Sequence, residues 1–133
     1  MEFPEDRKYS KEHEWSKPHS DGLVVGITDY AQDSLGEIVY VELPEEGSTV
    51  ARGEAFGVIE STKAVSDLYA PVSGTVAEVN DTLLDNPELI NEDPYDDGWL
   101  IRIAMSDESE LGQLMDAAEY ATFIEEEKNK EEE

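Results

Sequence analysis

Short runs of β-branched and aromatic residues, each ended by a turn rich in proline or glycine, fill the middle of the chain. The run Ile-Val-Tyr-Val at 38–41 ends at Leu-Pro-Glu-Glu-Gly, and the same alternation then repeats several times. Such side chains favour extended backbone, and proline and glycine favour turns. The sequence therefore predicts a mainly β fold with strands at 38–41, 49–50, 55–59, 65–69, 75–79 and 99–103.

Two segments of this pattern resemble each other. Gly-Glu-Ile-Val-Tyr-Val-Glu at 36–42 aligns with Gly-Thr-Val-Ala-Glu-Val-Asn at 74–80, and each precedes an acidic loop and a further apolar strand. Two copies are too few for a solenoid. We therefore expect a small pseudo-symmetric β structure whose halves pack face to face.

The first third of the chain is predicted to form a hairpin followed by a short helix. Strands at 13–17 and 23–27 flank the turn-forming sequence Pro-His-Ser-Asp-Gly. Thr28 is a good N-cap and Gly36 suits the position after a helix, which predicts a helix over 28–36. Tyr30, Ala31 and Leu35 are expected to form its buried stripe.

The last third is predicted to be helical. Apolar residues recur at helical spacing at 111, 114, 115 and 118, and Asp-Ala-Ala-Glu at 116–119 resembles a capping box that starts a further helix. We expect the apolar residues to pack in the core rather than to hold a cofactor. Residues 125–133 have no apolar face and are predicted to fray, and residues 1–7 are predicted to be flexible.

Length and composition restrict the class of protein. A chain of 133 residues fits one domain, which we place at 1–124. No apolar run is long enough to cross a bilayer, and the N-terminus lacks the features of a signal or transit peptide. We therefore expect a cytoplasmic protein that does not enter a membrane.

The charge and the lack of cysteine exclude several functions. With 34 acidic and 9 basic residues the formal net charge is −25, which excludes nucleic acid as a partner because phosphates have the same sign. A salt-rich cytoplasm is one explanation of this acidity; solubility and the steering of partners are the others. Without cysteine, disulfides, thiolate metal sites and cysteine nucleophiles are excluded.

No motif indicates catalysis. His13 and His19 lack a third metal ligand at a recognisable spacing, and His19 is interpreted as a solvated loop residue. Phosphate-binding glycine motifs and the Gly-x-Ser-x-Gly signature are absent from the sequence. The sequence therefore predicts no catalytic residue and no metal site, and favours a protein that is not an enzyme.

One lysine is unusual in its position. Lys63 is the only lysine between Lys17 and Lys128, and it lies in a polar segment between two predicted strands. This placement predicts that its ammonium is exposed at a hairpin tip. An ordinary surface lysine is one interpretation; the other is a tip that presents an amine to a modifying enzyme in one defined geometry.

Six motifs resemble those of the glycine cleavage H-protein family and occur in the same order. They are HEW at 13–15, VGIT at 25–28, AQDSLGEIVYVELPEEG at 31–47, GEAFGVIESTKAVSDLYAPVSGTVAEVN at 53–80, PELIN at 87–91 and GWL at 98–100. The resemblance covers about residues 8–124. Biotin carriers usually have methionine on both sides of their lysine, whereas Thr62 and Ala64 flank Lys63, which argues against biotin.

The resemblance implies a barrel-sandwich hybrid of the lipoyl and biotinyl type, with lipoic acid in amide linkage to Lys63. It implies a monomeric carrier that takes an aminomethyl group from a pyridoxal-phosphate glycine decarboxylase to an aminomethyltransferase that uses tetrahydrofolate. Electrons would pass to a dihydrolipoyl dehydrogenase. Lipoylating enzymes are implied as further partners.

The resemblance also implies roles for residues near the lysine. Ser10, Glu12, Glu14 and Asp67 are candidates to line a cleft that receives the loaded arm, where a carboxylate would pair with an amine; a solvated strand face is the alternative for Glu14 and Asp67. Glu60 is the candidate for recognition by the lipoylating enzyme.

Two other functions stay open at this point. A relay protein that distributes octanoyl or lipoyl groups to other lipoyl domains would have the same sequence at Lys63. A binding module would keep the hairpin but leave the lysine unmodified.

Overall fold

The computed structural model of the protein describes residues 1–19 and 22–132. Within these residues it has nine β-strands, four α-helices and one 3-10 helix. The strands are β1 Lys8–Tyr9, β2 Glu14–His19, β3 Gly22–Ile27, β4 Ile38–Glu42, β5 Thr49–Val50, β6 Ala55–Ser61, β7 Val65–Tyr69, β8 Gly74–Val79 and β9 Ile101–Met105. The helices are α1 Asp29–Leu35, α2 Thr82–Asp85, α3 Leu89–Glu92, the 3-10 helix Glu108–Gln113 and α4 Ala117–Glu132.

The strands form two antiparallel sheets. The larger sheet has the order β1-β2-β3-β9-β8-β5, and the smaller sheet has the order β4-β6-β7. The predicted mainly β class is confirmed. The two repeated segments correspond to β4 and β8, which pair with β6 and β9 in different sheets, as expected for two halves that face each other.

One hydrophobic core joins the two sheets. It includes Leu23 and Ile103 from the larger sheet and Val41, Ile59 and Leu68 from the smaller one, and all five are almost completely buried. A second cluster packs Tyr9 and Trp15 against Tyr120 and Ile124 of α4. Because side chains alternate across a strand, burying one face of each sheet leaves the other free for different contacts.

The predicted N-terminal hairpin is present, with β2 and β3 paired in antiparallel register from Glu14↔Ile27 to His19↔Gly22. Strand β2 extends further than expected, because Pro18 and His19 belong to it rather than to the turn. His19 is exposed as predicted, but on a strand. The predicted turn residues 20–21 lie outside the described residues.

Helix α1 is capped as its sequence predicts. The Thr28 side chain accepts a hydrogen bond from the Ala31 backbone N–H at 3.2 Å, and Gly36 follows the helix with φ +81°. The expected buried stripe is only half-buried, since Ala31 and Leu35 pack at the edge of the main core and Tyr30 at the edge of the second cluster.

The C-terminal region differs in part from the prediction. The apolar residues near 111–115 lie on the 3-10 helix and the residues after it, not on an α-helix. The capping box is present: Asp116 N–H donates to Glu119 Oε1 at 3.1 Å, and Glu119 N–H donates to Asp116 Oδ1 at 2.8 Å. Helix α4 then continues to Glu132, through most of the segment 125–133 for which fraying was predicted.

Within the first seven residues, for which flexibility was predicted, Phe3 and Arg7 contact distant parts of the chain. Phe3 lies edge-on to Tyr120 with ring centroids 5.0 Å apart. The Arg7 guanidinium lies 4.7 Å from the Trp15 ring centroid and 5.2 Å from that of Tyr95, and it donates a hydrogen bond to the Tyr95 carbonyl. Cation–π contacts of this kind hold an arginine at low exposure.

Strand β9 starts at Ile101, two residues later than predicted. The segment before it is held by Asn80, whose amide donates to the carbonyl of Trp99 at 2.8 Å. Among the described helices, none is long and apolar enough to cross a membrane.

Candidate functional site

Lys63 lies at the tip of the β6–β7 hairpin. The last strand pair is Glu60↔Val65, and the tip beyond it is closed by a hydrogen bond from Ser61 N–H to the Ala64 carbonyl at 2.8 Å. The Ser61 hydroxyl accepts from the N–H groups of Ala64 and Lys63 at 3.0 and 3.3 Å. The predicted exposed tip is therefore present, and its backbone is fixed by local hydrogen bonds.

The tip is also tied to the end of α1. The Thr62 N–H donates to the Glu37 carbonyl at 3.0 Å. The Lys63 stem lies over Gly36, where a Cβ atom would come within 3.2 Å of its Cε and 3.8 Å of its Nζ. Gly36 therefore provides both the positive φ at the end of the helix and the space for the lysine stem.

A cleft of about 290 Å³ lies close to the lysine tip, between α1, the edge strand β7 and the turn before β2. We call it the Glu14 cleft. Its lining residues come from six segments and are Glu12, His13, Glu14, Ile27, Tyr30, Ala31, Ser34, Leu35, Ile59, Ser66, Asp67, Leu68 and Glu127. Ile27, Ile59 and Leu68 are buried in its lining, whereas Glu12 and Asp67 are exposed at its rim.

Glu14 is the buried acid of this cleft, with an exposed fraction of only 1%. Its Oε1 accepts from the Ser10 hydroxyl at 2.8 Å, and its Oε2 accepts from the Tyr69 N–H at 3.3 Å. Burial raises the pKa of the Glu14 carboxyl to about 8, and these two hydrogen bonds offset only part of that rise. Burial therefore favours the uncharged form of the Glu14 carboxyl.

Of the other predicted site residues, some line the Glu14 cleft and some do not. Glu12 and Asp67 line the cleft, and their role towards a loaded arm stays a prediction. Ser10 does not line the cleft; it borders a neighbouring pocket that includes Arg52. Its hydroxyl donates a hydrogen bond to the Glu14 carboxyl and so holds that group in position. Glu60 lies on the central strand of the smaller sheet, three residues before Lys63.

Of the thirteen residues that line the cleft, only Glu12, Glu14 and Asp67 were predicted as site residues; Glu127 and His13 are two that were not. Glu127 comes from the part of α4 that was expected to fray, although its spacing from the buried Tyr120 and Ile124 places it on the same helix face. His13 has a left-handed backbone with φ +74°, and its Nδ1 lies 2.9 Å from the Tyr120 hydroxyl. This contact between His13 and Tyr120 links the cleft to α4.

His13 belongs to a hydrogen-bonded chain that leads away from the cleft. The Tyr120 hydroxyl also lies 2.8 Å from the Thr28 hydroxyl, which caps α1. Burial lowers the pKa of the His13 imidazole. Because a neutral imidazole can either donate or accept, the chain holds α1, α4 and the turn at His13 together in either tautomer.

No group of three or more possible metal ligands lies together among the residues the structure describes. The site thus consists of an exposed amine on a rigid tip and a nearby cleft with one buried carboxyl. Two packed antiparallel sheets with a single lysine at such a tip define a carrier-type domain of the barrel-sandwich hybrid fold.

The sequence profile of the family described as "Glycine cleavage H-protein" matches residues 7–127. The chain belongs to this glycine cleavage H-protein family, which confirms the resemblance found in the motifs.

Similar proteins support the same assignment. A glycine cleavage system H protein of Anaeromyxobacter sp. (strain K) is 60% identical over 126 residues, covering 95% of this chain and 98% of that protein. One from Thermus thermophilus is 53% identical over 127 residues, covering 96% and 99%. The crystal structure of a glycine cleavage system H protein from Mycobacterium marinum has a TM-score of 0.83 and 45% identity, covering 90% of this chain and 97% of that one. The barrel-sandwich hybrid fold is confirmed.

Proposed function

We propose that the protein carries a lipoyl group in amide linkage to Lys63 and acts as the mobile carrier of glycine cleavage. The observation that carries the proposal is the position of the Lys63 amine on an exposed, hydrogen-bonded tip next to a cleft with a buried carboxyl. Membership of the glycine cleavage H-protein family supports it.

The residues at the tip fit attachment of an acyl group. Thr62, Lys63 and Ala64 are exposed, so an enzyme can reach the amine without unfolding the hairpin. In the attachment step, the Lys63 nitrogen attacks the carbonyl carbon of an activated acyl group, such as an acyl adenylate. An amide C–N bond forms, the C–O bond to the nucleotide phosphate breaks, and the nitrogen loses a proton.

The bound lipoyl group supplies a disulfide that can accept an aminomethyl group and electrons. The chain itself contributes a tether, which makes every encounter after docking intramolecular. Its lack of cysteine leaves no thiol of its own to exchange with that disulfide.

The Glu14 cleft gives the far end of the arm a place to dock. An ammonium group there would pair with Glu14 and Asp67, and the Glu14 carboxyl would give up its proton because a nearby positive charge lowers the pKa of a carboxyl. Ile27, Leu35 and Ile59 would keep water from the group that is carried.

The proposed partners are the three enzymes of the cycle and the enzymes that load the lysine. They are a pyridoxal-phosphate glycine decarboxylase, an aminomethyltransferase that uses tetrahydrofolate, and a dihydrolipoyl dehydrogenase. In this proposal the protein itself is not an enzyme, because it carries groups that its partners transfer. The cytoplasmic location and the monomeric state expected from the sequence stay predictions.

Intact-protein mass spectrometry with peptide mapping tests the proposal. Protein from cells supplied with lipoate should carry one lipoyl addition on the peptide that contains Lys63, and the Lys63→Arg variant should carry none. An unmodified Lys63, in cells whose other lipoyl proteins are modified, would contradict the proposal and favour a binding module.

A further inference from the structure

Exposed large apolar side chains are concentrated on the sheet that carries the lysine. Among the described residues, five such side chains are strongly exposed, and three of them are Val39 at 50%, Tyr40 at 49% and Val65 at 67%. Strand β4 contributes the first two and strand β7 the third. Exposed apolar residues that cluster beside a reactive group commonly mark an interaction site.

The strand register joins these residues into one row. Tyr40 lies directly opposite Glu60, and Glu60 lies directly opposite Val65, so the three side chains stand on the same face of the smaller sheet. Their neighbours Val41 and Ile59 are buried on the other face. The row therefore faces away from the core.

Val39 adds to this surface through an irregularity in β4. The register shifts between Ile38 and Tyr40, which leaves Val39 and Tyr40 exposed in succession instead of on alternate faces. Bulges of this kind often redirect a side chain near a functional site. We call Val39, Tyr40, Glu60 and Val65 the Tyr40 row.

The charged residues near the row are acidic, apart from Lys63. Glu37 and Glu42 are exposed at the two ends of β4, and Glu60 lies in the middle of the row. Between Arg52 and Arg102, Lys63 is the only lysine or arginine in the sequence. A partner that covers this surface would need an apolar centre and a basic rim.

We propose that the Tyr40 row is the docking surface for the enzyme that acylates Lys63, a partner with an apolar contact region edged by lysine and arginine. The inference rests on the proposed function, because it requires Lys63 to be acylated. The row begins at the strand pair next to the tip, Glu60↔Val65, so an enzyme that closes around the tip would lie next to the row.

Geometry favours the acylating enzyme over the enzymes of the cycle. The acylating enzyme reacts with Nζ itself and has to approach the tip closely. Enzymes that act on the far end of the arm can bind elsewhere, and the Glu14 cleft opens beside the edge strand β7 and next to α1. Val65 of the row and Asp67 of the cleft are both on β7, so the two surfaces adjoin, and the test below decides which partner uses the row.

The test compares rates of lipoylation by an ATP-dependent lipoate ligase. We expect Tyr40→Ser and Val65→Ser each to lower kcat/KM by about 10-fold or more, through KM, since the loss of a central interface side chain commonly has such an effect. Leu84→Ser is the matched control: Leu84 is 57% exposed on α2, outside the row, and its variant should stay within about twofold of the wild type.

The outcomes separate this inference from the proposed function. Tyr40→Ser and Val65→Ser proteins with the urea midpoint and the kcat/KM of the wild type would overturn the docking surface alone. Wild-type protein that the ligase cannot acylate at Lys63 would overturn both proposals. If pre-lipoylated variants fail in glycine decarboxylation while their acylation is normal, the row belongs to another partner and the inference is wrong.

Discussion

The two sheets of the protein differ in what their apolar side chains do. In the larger sheet, Leu23, Val25, Ile101 and Ile103 are completely buried, and they form the centre of the core. The smaller sheet buries one face with Val41 and Ile59 but exposes apolar residues on the other, next to Lys63. Both sheets therefore contribute to the core, and only the outer face of the smaller sheet, where we propose that a partner docks, exposes apolar side chains. Substitutions on that face should be able to affect docking without affecting stability.

The largest effect on stability is expected in the larger sheet. Ile103 lies on β9 between β3 and β8, opposite Leu23 and Val76, and is completely buried. Ile103→Ala should lower the free energy of unfolding by about 2–5 kcal/mol, because a cavity adds to the lost burial. Urea unfolding of the variant and the wild type measures this difference in free energy.

Val65→Ala is the matched control for this substitution, since Val65 is apolar but 67% exposed on the smaller sheet. It should change the free energy of unfolding by no more than about 0.5 kcal/mol. Equal losses for the two variants would show that the exposed row contributes to stability and would break the comparison.

The next effect concerns pH and the Glu14 cleft. Because burial raises the pKa of the Glu14 carboxyl from 4.5 to about 8, the folded state holds a proton that the unfolded state has lost between these pH values. Its contribution to stability is complete at low pH and is lost as the pH rises through that range. Glu14→Gln should remove this loss and be more stable than the wild type at pH 9, by a few kcal/mol.

Urea unfolding from pH 4 to 9 would show it, with Glu46→Gln as the control. Glu46 is exposed in the turn after β4, outside the Glu14 cleft, so the curve of its variant should follow that of the wild type. A Glu14→Gln protein whose stability falls with pH as steeply as the wild type would contradict the buried, protonated carboxyl.

The smallest effect is expected at the start of α4, which supplies Glu127 to the cleft rim. Asp116→Ala removes the acceptor for the Glu119 N–H and should cost about 1 kcal/mol. Asp81→Ala is the control, because Asp81 precedes α2 without a capping side-chain hydrogen bond and its loss removes the same charge. Thermal unfolding of both variants should reveal the difference; equal midpoints would mean that the capping box is not needed.

Features that depend on neighbouring residues in the sequence could be predicted. The cap at Thr28, the capping box at Asp116 and the hairpin tip at Lys63 all follow from local patterns, and the structure contains each of them. The family motifs around the lysine added the candidate cleft residues, of which Glu12, Glu14 and Asp67 line the cleft.

Features that depend on distant contacts could not be predicted in this way. Phe3 and Arg7 are held by Tyr120, Trp15 and Tyr95, which lie far along the chain. The alternation of strand residues also predicts one exposed side chain at a time, whereas the bulge in β4 exposes Val39 and Tyr40 together. Such departures arise from packing between elements, which single-sequence patterns do not contain.

The most direct test of the central claim uses the Lys63→Arg variant in a reconstituted cycle. The protein is first treated with the lipoate ligase and then combined with glycine decarboxylase, aminomethyltransferase and dihydrolipoyl dehydrogenase, and NADH formation from glycine is followed. We predict turnover with the wild type and none with Lys63→Arg, whose charge and urea midpoint should be unchanged because the side chain is exposed. Turnover that survives the substitution would contradict the assignment of the carrier function to this lysine.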